Sequence, residues 1–155
     1  MTTKMRPIRD TIPLEEARAL IDGAVRPVVR IERVALTAAN GRVVAREVRS
    51  QVDVPPFARA GMDGYAVRAE DTFGASREEP KTFRCIEQVF TGQVPSRTVA
   101  ARECTEIATG APLPDGADAV VMVEESEKDD SGDVRIFTPV YPRQNVGRQG
   151  ADIHA

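Results

Sequence analysis

The sequence predicts an α+β chain that is mostly β, in which one helix precedes a series of strands. Apolar residues with helical spacing stand near the N-terminus, and apolar and polar residues alternate in the segments 83–89 and 105–109. Residues 119–123 form an unbroken apolar run. Alternation is typical of half-buried strands, and a short unbroken run is typical of a fully buried strand.

The helix is predicted from Pro13 to Ile21. Thr11 is a candidate N-cap, Pro13 stands in the first turn, and two glutamates follow at the positive end of the helix dipole. Gly23 and Pro27 limit the helix to two or three turns. The apolar residues that share one face are Ala17, Leu20, Ile21 and Ala24.

The region after the helix changes character twice. A strand is predicted over 32–36, followed by a short helical turn that stops at Gly41. Two consecutive prolines cannot lie in a central strand, so segment 53–56 is a candidate boundary between substructures. The acidic, glycine-containing stretch 124–133 is predicted as a solvated hairpin loop, and the last strand follows at 134–137.

Composition excludes several classes of protein. The chain has 155 residues and a net charge of −3, so it lacks the basic excess of a general nucleic-acid binder. No apolar run approaches the roughly 20 residues of a membrane span. The N-terminal residues 1–6 lack the apolar core of a signal peptide, and cytoplasm is the default location. Cys85 and Cys104 have no metal-binding spacing and are predicted as small core residues, and His154 is predicted as a solvated tail residue.

One candidate for chemistry is the carboxylate of Asp63. Pro55 and Pro56 stiffen the approach to an Asp-Gly turn, and a strand-like Tyr-Ala-Val follows. This arrangement holds one carboxylate at the tip of a rigid element. The same residues also fit the turn of an ordinary hairpin.

Two further segments carry glycine and polar residues. Thr109-Gly110 ends a strand, and a Thr hydroxyl beside a free Gly N–H can hold an oxyanion, although a plain strand connection has the same pattern. Segment 145–153 is polar and punctuated by glycine, which by composition is typical of a frayed tail.

Taken in order, these segments closely resemble the N-terminal region of the MoeA family of molybdopterin molybdenumtransferases, which are related to the C-terminal part of gephyrin. The resemblance rests on Pro-Pro-Phe with Met-Asp-Gly-Tyr-Ala-Val-Arg, on Thr-Gly-Ala-Pro-Leu-Pro-Asp-Gly-Ala-Asp, and on Asn-Val-Gly-Arg-Gln-Gly-Ala-Asp-Ile. It covers nearly the whole chain from about Thr11.

The resemblance implies an enzyme that inserts molybdenum from molybdate into adenylylated molybdopterin, a pterin nucleotide, with Mg²⁺ as cofactor. It also implies an elongated homodimer and contact with a molybdopterin adenylyltransferase. The first domain would be discontinuous, formed by residues 1–46 and 140–155, and would carry the dimer interface. An antiparallel, barrel- or roll-like β domain, residues 47–139, would be inserted into it.

The resemblance also implies the site residues. Asp63, Thr109 and Asp152 match the family's functional positions, and Asp63 would bind the metal. Thr109 would hydrogen-bond a phosphate or molybdate oxygen. Arg148 and Gly110 would contact the anionic ligand.

The chain departs from the family pattern at several positions. Ala58-Arg59-Ala60 replaces a more polar group, and the last motif has Gly147, Gln149 and Ala151 where charged residues are common. The nucleotide-binding α/β domain and the final β-barrel do not follow within the sequence, so the chain alone is expected to be inactive. The alternative is a non-catalytic binding or assembly module with the same fold.

Overall fold

A computed structural model describes residues 11–155. Residues 1–10, which include the stretch tested for a signal peptide, lie outside the described residues. The chain divides into two compact units, Met1–Glu47 and Val48–Ala155. Within residues 11–155, no helix combines the length and the apolar character that crossing a bilayer requires.

The helix of the first unit, α1, spans Leu14–Ala24 and begins later than the sequence predicts. Its N-cap residue is Pro13, which offers no capping side chain, so the predicted cap at Thr11 is wrong. The N–H of Ala17 donates to the Pro13 carbonyl at 3.0 Å and closes the first turn. The backbone turns extended at Val25, two residues before Pro27.

Residues 25–47, the rest of the described part of the first unit, have little regular structure. A 3-10 turn spans Leu36–Ala38, and Gly41 follows it with a φ of 75°, as the predicted glycine stop requires. The predicted strand over 32–36 is wrong, because no described residue pairs with it and a strand alone cannot satisfy its backbone. None of residues 11–47 is buried, and the apolar side chains of Leu20 and Ile21 are 61% and 59% exposed.

The second unit contains all eight strands of the described chain. They are β1 (Arg59–Ala60), β2 (Gly64–Val67), β3 (Lys81–Val89), β4 (Glu103–Ile107), β5 (Ala119–Met122), β6 (Ser126–Lys128), β7 (Asp133–Ile136) and β8 (Val146–Gly147). Six of them form one sheet in the order β5-β2-β4-β3-β7-β6, and β1 pairs with β8. The strands predicted at 83–89, 105–109, 119–123 and 134–137 are confirmed with small shifts at their ends.

The sheet is mixed, whereas the predicted β domain is antiparallel. β3 and β4 run parallel, with Cys85 opposite Cys104 and Val89 opposite Ile107. The long connection between these strands returns the chain to the same end of the sheet, which a short hairpin cannot do. The predicted loop 124–133 is also too long, because β6 lies inside it and pairs with β7 at the sheet edge.

Both faces of the sheet are buried by apolar side chains. Phe83, Cys104 and Val121 belong to one cluster, and Ala66 and Val120 belong to the other. Alternation along β2 and β5 divides neighbouring residues between the two faces. This burial fixes the register of β2, the strand that begins directly after Asp63.

The segment 140–155 belongs to the second unit in this division of the chain. Its strand β8 pairs with β1, and Ile153 forms an isolated bridge with Val54. The discontinuous first domain of residues 1–46 and 140–155, with 47–139 inserted, stays a prediction.

Candidate functional site

The three sequence segments with candidate chemistry meet around β1. On one side, the Ala60 N–H donates to the Ala111 carbonyl at 2.9 Å, and the Gly110 N–H donates to the Ala60 carbonyl at 2.8 Å. On the other side, the Gly61 N–H donates to the Asn145 carbonyl at 2.7 Å, and β8 continues the pairing. The short strand β1 therefore holds the segments around Thr109 and Asn145 together through backbone bonds.

Asp63 and Thr109 form the centre of the candidate site. The backbone N–H and the hydroxyl of Thr109 both donate to Asp63 Oδ1, at 2.6 and 2.7 Å. An ionised carboxylate only accepts hydrogen bonds, so the hydroxyl proton is committed to Asp63. The Thr109 N–H and, to a smaller extent, its hydroxyl hold the pKa of the Asp63 carboxyl below 3.8, its ordinary value.

The position of Asp63 depends on the residue that follows it. A Cβ at Gly64 would lie 1.8 Å from the Val121 carbonyl oxygen, so only glycine allows β2 to approach β5 this closely. The Val123 N–H donates to the Asp63 carbonyl at 3.1 Å and fixes the backbone at the strand end. Since β1 and β2 do not pair, the hairpin interpretation of the Asp-Gly step is wrong.

A cleft of about 330 Å³ opens beside Asp63. Residues at the ends of β2, β3 and β4 and the residue directly after β5 line it, and they include Asp63, Tyr65, Gln88, Phe90, Glu106 and Val123. Glu106 accepts hydrogen bonds from Gln88 Nε2 and Lys128 Nζ, each at 2.8 Å. Burial and the nearby Glu106 carboxylate raise the pKa of the Tyr65 hydroxyl. The lining thus combines two carboxylates with an aromatic wall.

The predicted oxyanion pocket at Thr109-Gly110 does not form in this structure. The Gly110 N–H is bonded to Ala60, and the Thr109 N–H and hydroxyl are bonded to Asp63. What remains open is a set of acceptors: the second carboxylate oxygen of Asp63 and the lone pairs of the Thr109 hydroxyl. Such a set suits a cation, a water or another donor.

Arg148 and Asp152 lie outside the cleft. The Asp152 N–H donates to the Val54 carbonyl at 2.9 Å, and the Arg148 carbonyl accepts from Ala151 at 3.4 Å. Both side chains are exposed, and among residues 11–155 no hydrogen bond or ion pair joins either to Asp63 or Thr109. The roles assigned to Arg148, Asp152 and Gly110 stay predictions.

Sequence reasoning missed Asp53, which organises the last residues of the chain. Its Oδ1 accepts from the Ala155 N–H at 3.0 Å and lies 3.1 Å from His154 Nδ1, and its Oδ2 accepts from Gln149 Nε2 at 2.8 Å. The bonds from Ala155 and Gln149 lower the pKa of the Asp53 carboxyl. An aspartate directly before Val-Pro-Pro was the available signal, but its partners lie about a hundred residues away in the sequence.

The described residues fit only part of a magnesium site. Within residues 11–155, no group of three or more histidine, cysteine, aspartate or glutamate side chains converges on one point. Asp63 Oδ2 and the Thr109 hydroxyl oxygen are hard oxygen ligands, and Mg²⁺ commonly takes one or two protein carboxylates with waters and phosphate oxygens. The pair therefore fits a shared site completed by substrate and by other protein groups.

Comparison with known proteins gives one consistent family. The family described as MoeA N-terminal region (domain I and II) matches residues 12–155. A molybdopterin molybdenumtransferase of Nostoc sp. is 37% identical over 112 residues, which cover 72% of this chain and 25% of the relative. One of Staphylococcus aureus is 32% identical over 147 residues, which cover 93% of this chain and 34% of the relative.

A solved structure shows the same fold. The crystal structure of the molybdopterin biosynthesis MoeA protein from Pyrococcus horikoshii aligns with a TM-score of 0.74 and 36% identity. The alignment covers 93% of this chain and 38% of the other chain. The chain thus spans between a quarter and two fifths of the length of these relatives.

Proposed function

Because the chain belongs to the MoeA N-terminal region family, we propose that it forms the front part of a molybdopterin molybdenumtransferase. In the proposed reaction, molybdenum from molybdate enters adenylylated molybdopterin during biosynthesis of the molybdenum cofactor. The relatives that carry this name are about three times as long, and we place the nucleotide-binding domain in their remaining length. This chain contributes the Asp63–Thr109 pair.

The observation that carries the proposal is the half-open carboxylate of Asp63. Thr109 occupies Oδ1 with two donors, and no hydrogen bond from the described residues reaches Oδ2. The carboxylate is therefore oriented and ionised before any ligand arrives. Preorganisation of this kind spares the site the cost of ordering a free side chain during the reaction.

The lowered pKa decides between two roles for Asp63. A general base works best with a pKa near the working pH. The pKa of the Asp63 carboxyl lies below 3.8, far from neutral pH. We therefore assign Asp63 to binding Mg²⁺ and orienting a water on the cleft side, with Thr109 as the residue that positions it. Bound Mg²⁺ would neutralise negative charge on the adenylate phosphate.

The anionic ligands require positive groups that the cleft beside Asp63 does not offer freely. The Lys128 ammonium lies beside the lining residue Glu106 and is paired with its carboxylate. Arg148 directly follows β8, which is joined to β1 and through it to the Thr109 segment. We propose that Arg148 contributes a fork of donors toward phosphate or molybdate and that Asp152 supplies a second carboxylate.

Complementation tests the assignment of Asp63. The chain is joined to the remaining domains of a relative, and molybdenum insertion is measured with adenylylated molybdopterin and molybdate. Asp63→Ala should lower the rate by a factor on the order of 100, the scale of losing one preorganised electrostatic group at a reacting centre.

The matched control is Asp130→Ala, which removes an exposed carboxylate in the turn between β6 and β7. It should leave the rate unchanged. Full activity of Asp63→Ala would refute the assignment of Asp63. An inactive but folded chimaera that still binds Mg²⁺ would favour the non-catalytic binding module.

We also propose that the chain forms a homodimer. The exposed apolar side chains of the first unit, Leu20 and Ile21 among them, support this proposal, because a second copy would remove them from water. Light scattering should give twice the mass of one chain, and Leu20→Asp should shift the population toward the monomer. A monomer at all concentrations would contradict the dimer.

A further inference from the structure

Cys85 and Cys104 are direct neighbours in the parallel pair of β3 and β4. They stand opposite each other in the register, so their side chains leave the sheet on the same face. Cys104 is fully buried in the core cluster of that face, and Cys85 packs against it while staying partly exposed. Neighbouring strands lie about 4.8 Å apart. Bonded cysteines have Cα separations of about 4.4–6.8 Å, so the backbone already suits a bond.

The two sulfurs are chemically different. A hydrogen bond from the Cys104 thiol lowers the pKa of Cys85 to about 6, and the ammonium of Lys128 acts in the same direction. The same bond, together with burial, raises the pKa of Cys104. As a thiol, Cys85 has the Glu87 carbonyl 3.6 Å away as an acceptor. Cys85 is therefore the accessible, ionisable sulfur, and Cys104 is held beside it as a thiol.

We propose that Cys85 and Cys104 form a reversible disulfide when a small disulfide of the glutathione type oxidises them. The Cys85 thiolate attacks one sulfur of oxidised glutathione, the glutathione S–S bond breaks, and one glutathione thiolate leaves. Cys104 then loses its proton and attacks the Cys85 sulfur, which releases the second glutathione thiolate. Two protein thiols are oxidised, one disulfide is reduced, and the two protein protons end on the glutathione sulfurs or in water.

The proposal does not rest on the function proposed for Asp63. Among the described residues no hydrogen bond joins either cysteine to Asp63 or Thr109, and neither cysteine lines the cleft. They are the only two cysteines of the sequence, so every disulfide within one chain must join them. Oxidation within one chain can therefore give only one disulfide, Cys85–Cys104.

Treatment of the folded chain with oxidised glutathione, followed by alkylation in denaturant and mass measurement of the intact chain, tests the proposal. The chain should lose two hydrogen atoms, carry no glutathione and resist alkylation, and dithiothreitol should restore both thiols. Cys104→Ala should stop at one glutathione on Cys85. Cys85→Ala should leave Cys104 unmodified, because Cys104 is fully buried.

Circular dichroism and amide exchange show whether each variant remains folded, and Cys104→Ser provides a second resolving-site variant. The mass and alkylation of the oxidised wild-type chain test the proposal even where a variant unfolds. A stable glutathione adduct with Cys104 still open to alkylation, a disulfide between two chains, or no reaction would each overturn the proposal.

Discussion

Asp53 and Asp63 of the second unit both accept hydrogen bonds from backbone N–H groups, yet their carboxylates are used in opposite ways. Asp53 employs both of its carboxylate oxygens, and its side chain is 20% exposed. Asp63 employs only Oδ1 and borders the cleft with Oδ2 free of bonds from the described residues. With both oxygens bonded, the Asp53 carboxylate holds two segments of the chain together. With only one oxygen bonded, the Asp63 carboxylate can still accept a ligand.

The difference arises from what each aspartate is attached to. Asp53 lies beside the Val54–Ile153 bridge, and its partners come from the last seven residues of the chain. Asp63 precedes β2, a strand fixed between β4 and β5. Asp63 therefore has a rigid support that does not depend on the orientation of its free oxygen.

Substitution of the glycine next to each aspartate, Gly64 beside Asp63 and Gly150 beside Asp53, gives the largest expected loss of stability. Gly64→Ala places a Cβ 1.8 Å from the backbone oxygen of Val121, and β2 and β5 must move apart. We expect a loss of about 3 kcal/mol in the free energy of unfolding, at the upper end of overpacking costs. Denaturant unfolding of the two proteins measures it.

Gly150→Ala is the matched substitution at the Asp53 centre. Its Cβ would lie 3.1 Å from Asp53 Oδ1, a side-chain atom that can shift, but Gly150 has a φ of 67°. The expected loss is about 1–2 kcal/mol, the cost of a left-handed backbone for alanine. Equal losses of unfolding free energy in Gly64→Ala and Gly150→Ala would show that the backbone around Asp63 is no more rigid than the backbone around Asp53.

Removal of the charge at each aspartate gives a smaller and local effect. Asp53→Asn weakens the bonds from Gln149 and Ala155, so amide exchange of Gly150 and Asp152 should become several-fold faster. Hydrogen exchange followed by NMR measures these amides individually. Asp63→Asn should leave the exchange rates of Gly150 and Asp152 unchanged. Comparable acceleration of their exchange in both variants would mean that the surroundings of Asp53 and Asp63 are coupled.

Much of the second unit could be predicted because its pattern is local. The alternation along 83–89 and the apolar run 119–123 reflect burial on one or both faces of a strand, and each became a strand. The parallel pairing of β3 with β4 could not be read in this way, because it depends on where a long connection returns the chain. β6 was missed because its polar residues form a strand only through pairing with β7.

The candidate site was predicted in part. The order of the motifs selected Asp63 and Thr109, and the structure joins them by two hydrogen bonds. The hydrogen bond from the Gly110 N–H to the Ala60 carbonyl could not be predicted from the sequence, because it requires β1 to lie between the segments of Thr109 and Asn145. The same holds for Asp53, whose partners are distant in sequence.

The smallest expected effect separates the two donors that Thr109 provides. The backbone N–H is the larger cause of the lowered pKa of Asp63, and the hydroxyl is the second. Thr109→Val removes only the hydroxyl, so the pKa of Asp63 should rise but stay below 3.8. Thr109→Ser keeps both donors and should resemble the wild type. NMR titration of the Asp63 carboxyl carbon measures all three proteins.

The direction of the pH dependence follows from the same bonds. Because the Asp63 pKa is lower in the folded chain than in the unfolded chain, the stabilisation by Thr109 is present above pH 3.8 and is lost as the pH falls through the folded-state pKa. In Thr109→Val the folded-state pKa is closer to 3.8, so the loss should be smaller and should be complete at a higher pH than in the wild type. A pKa at or above 3.8 in Thr109→Val would show that the hydroxyl, rather than the N–H, orients the carboxylate, and the backbone would then have no part in keeping Asp63 half open.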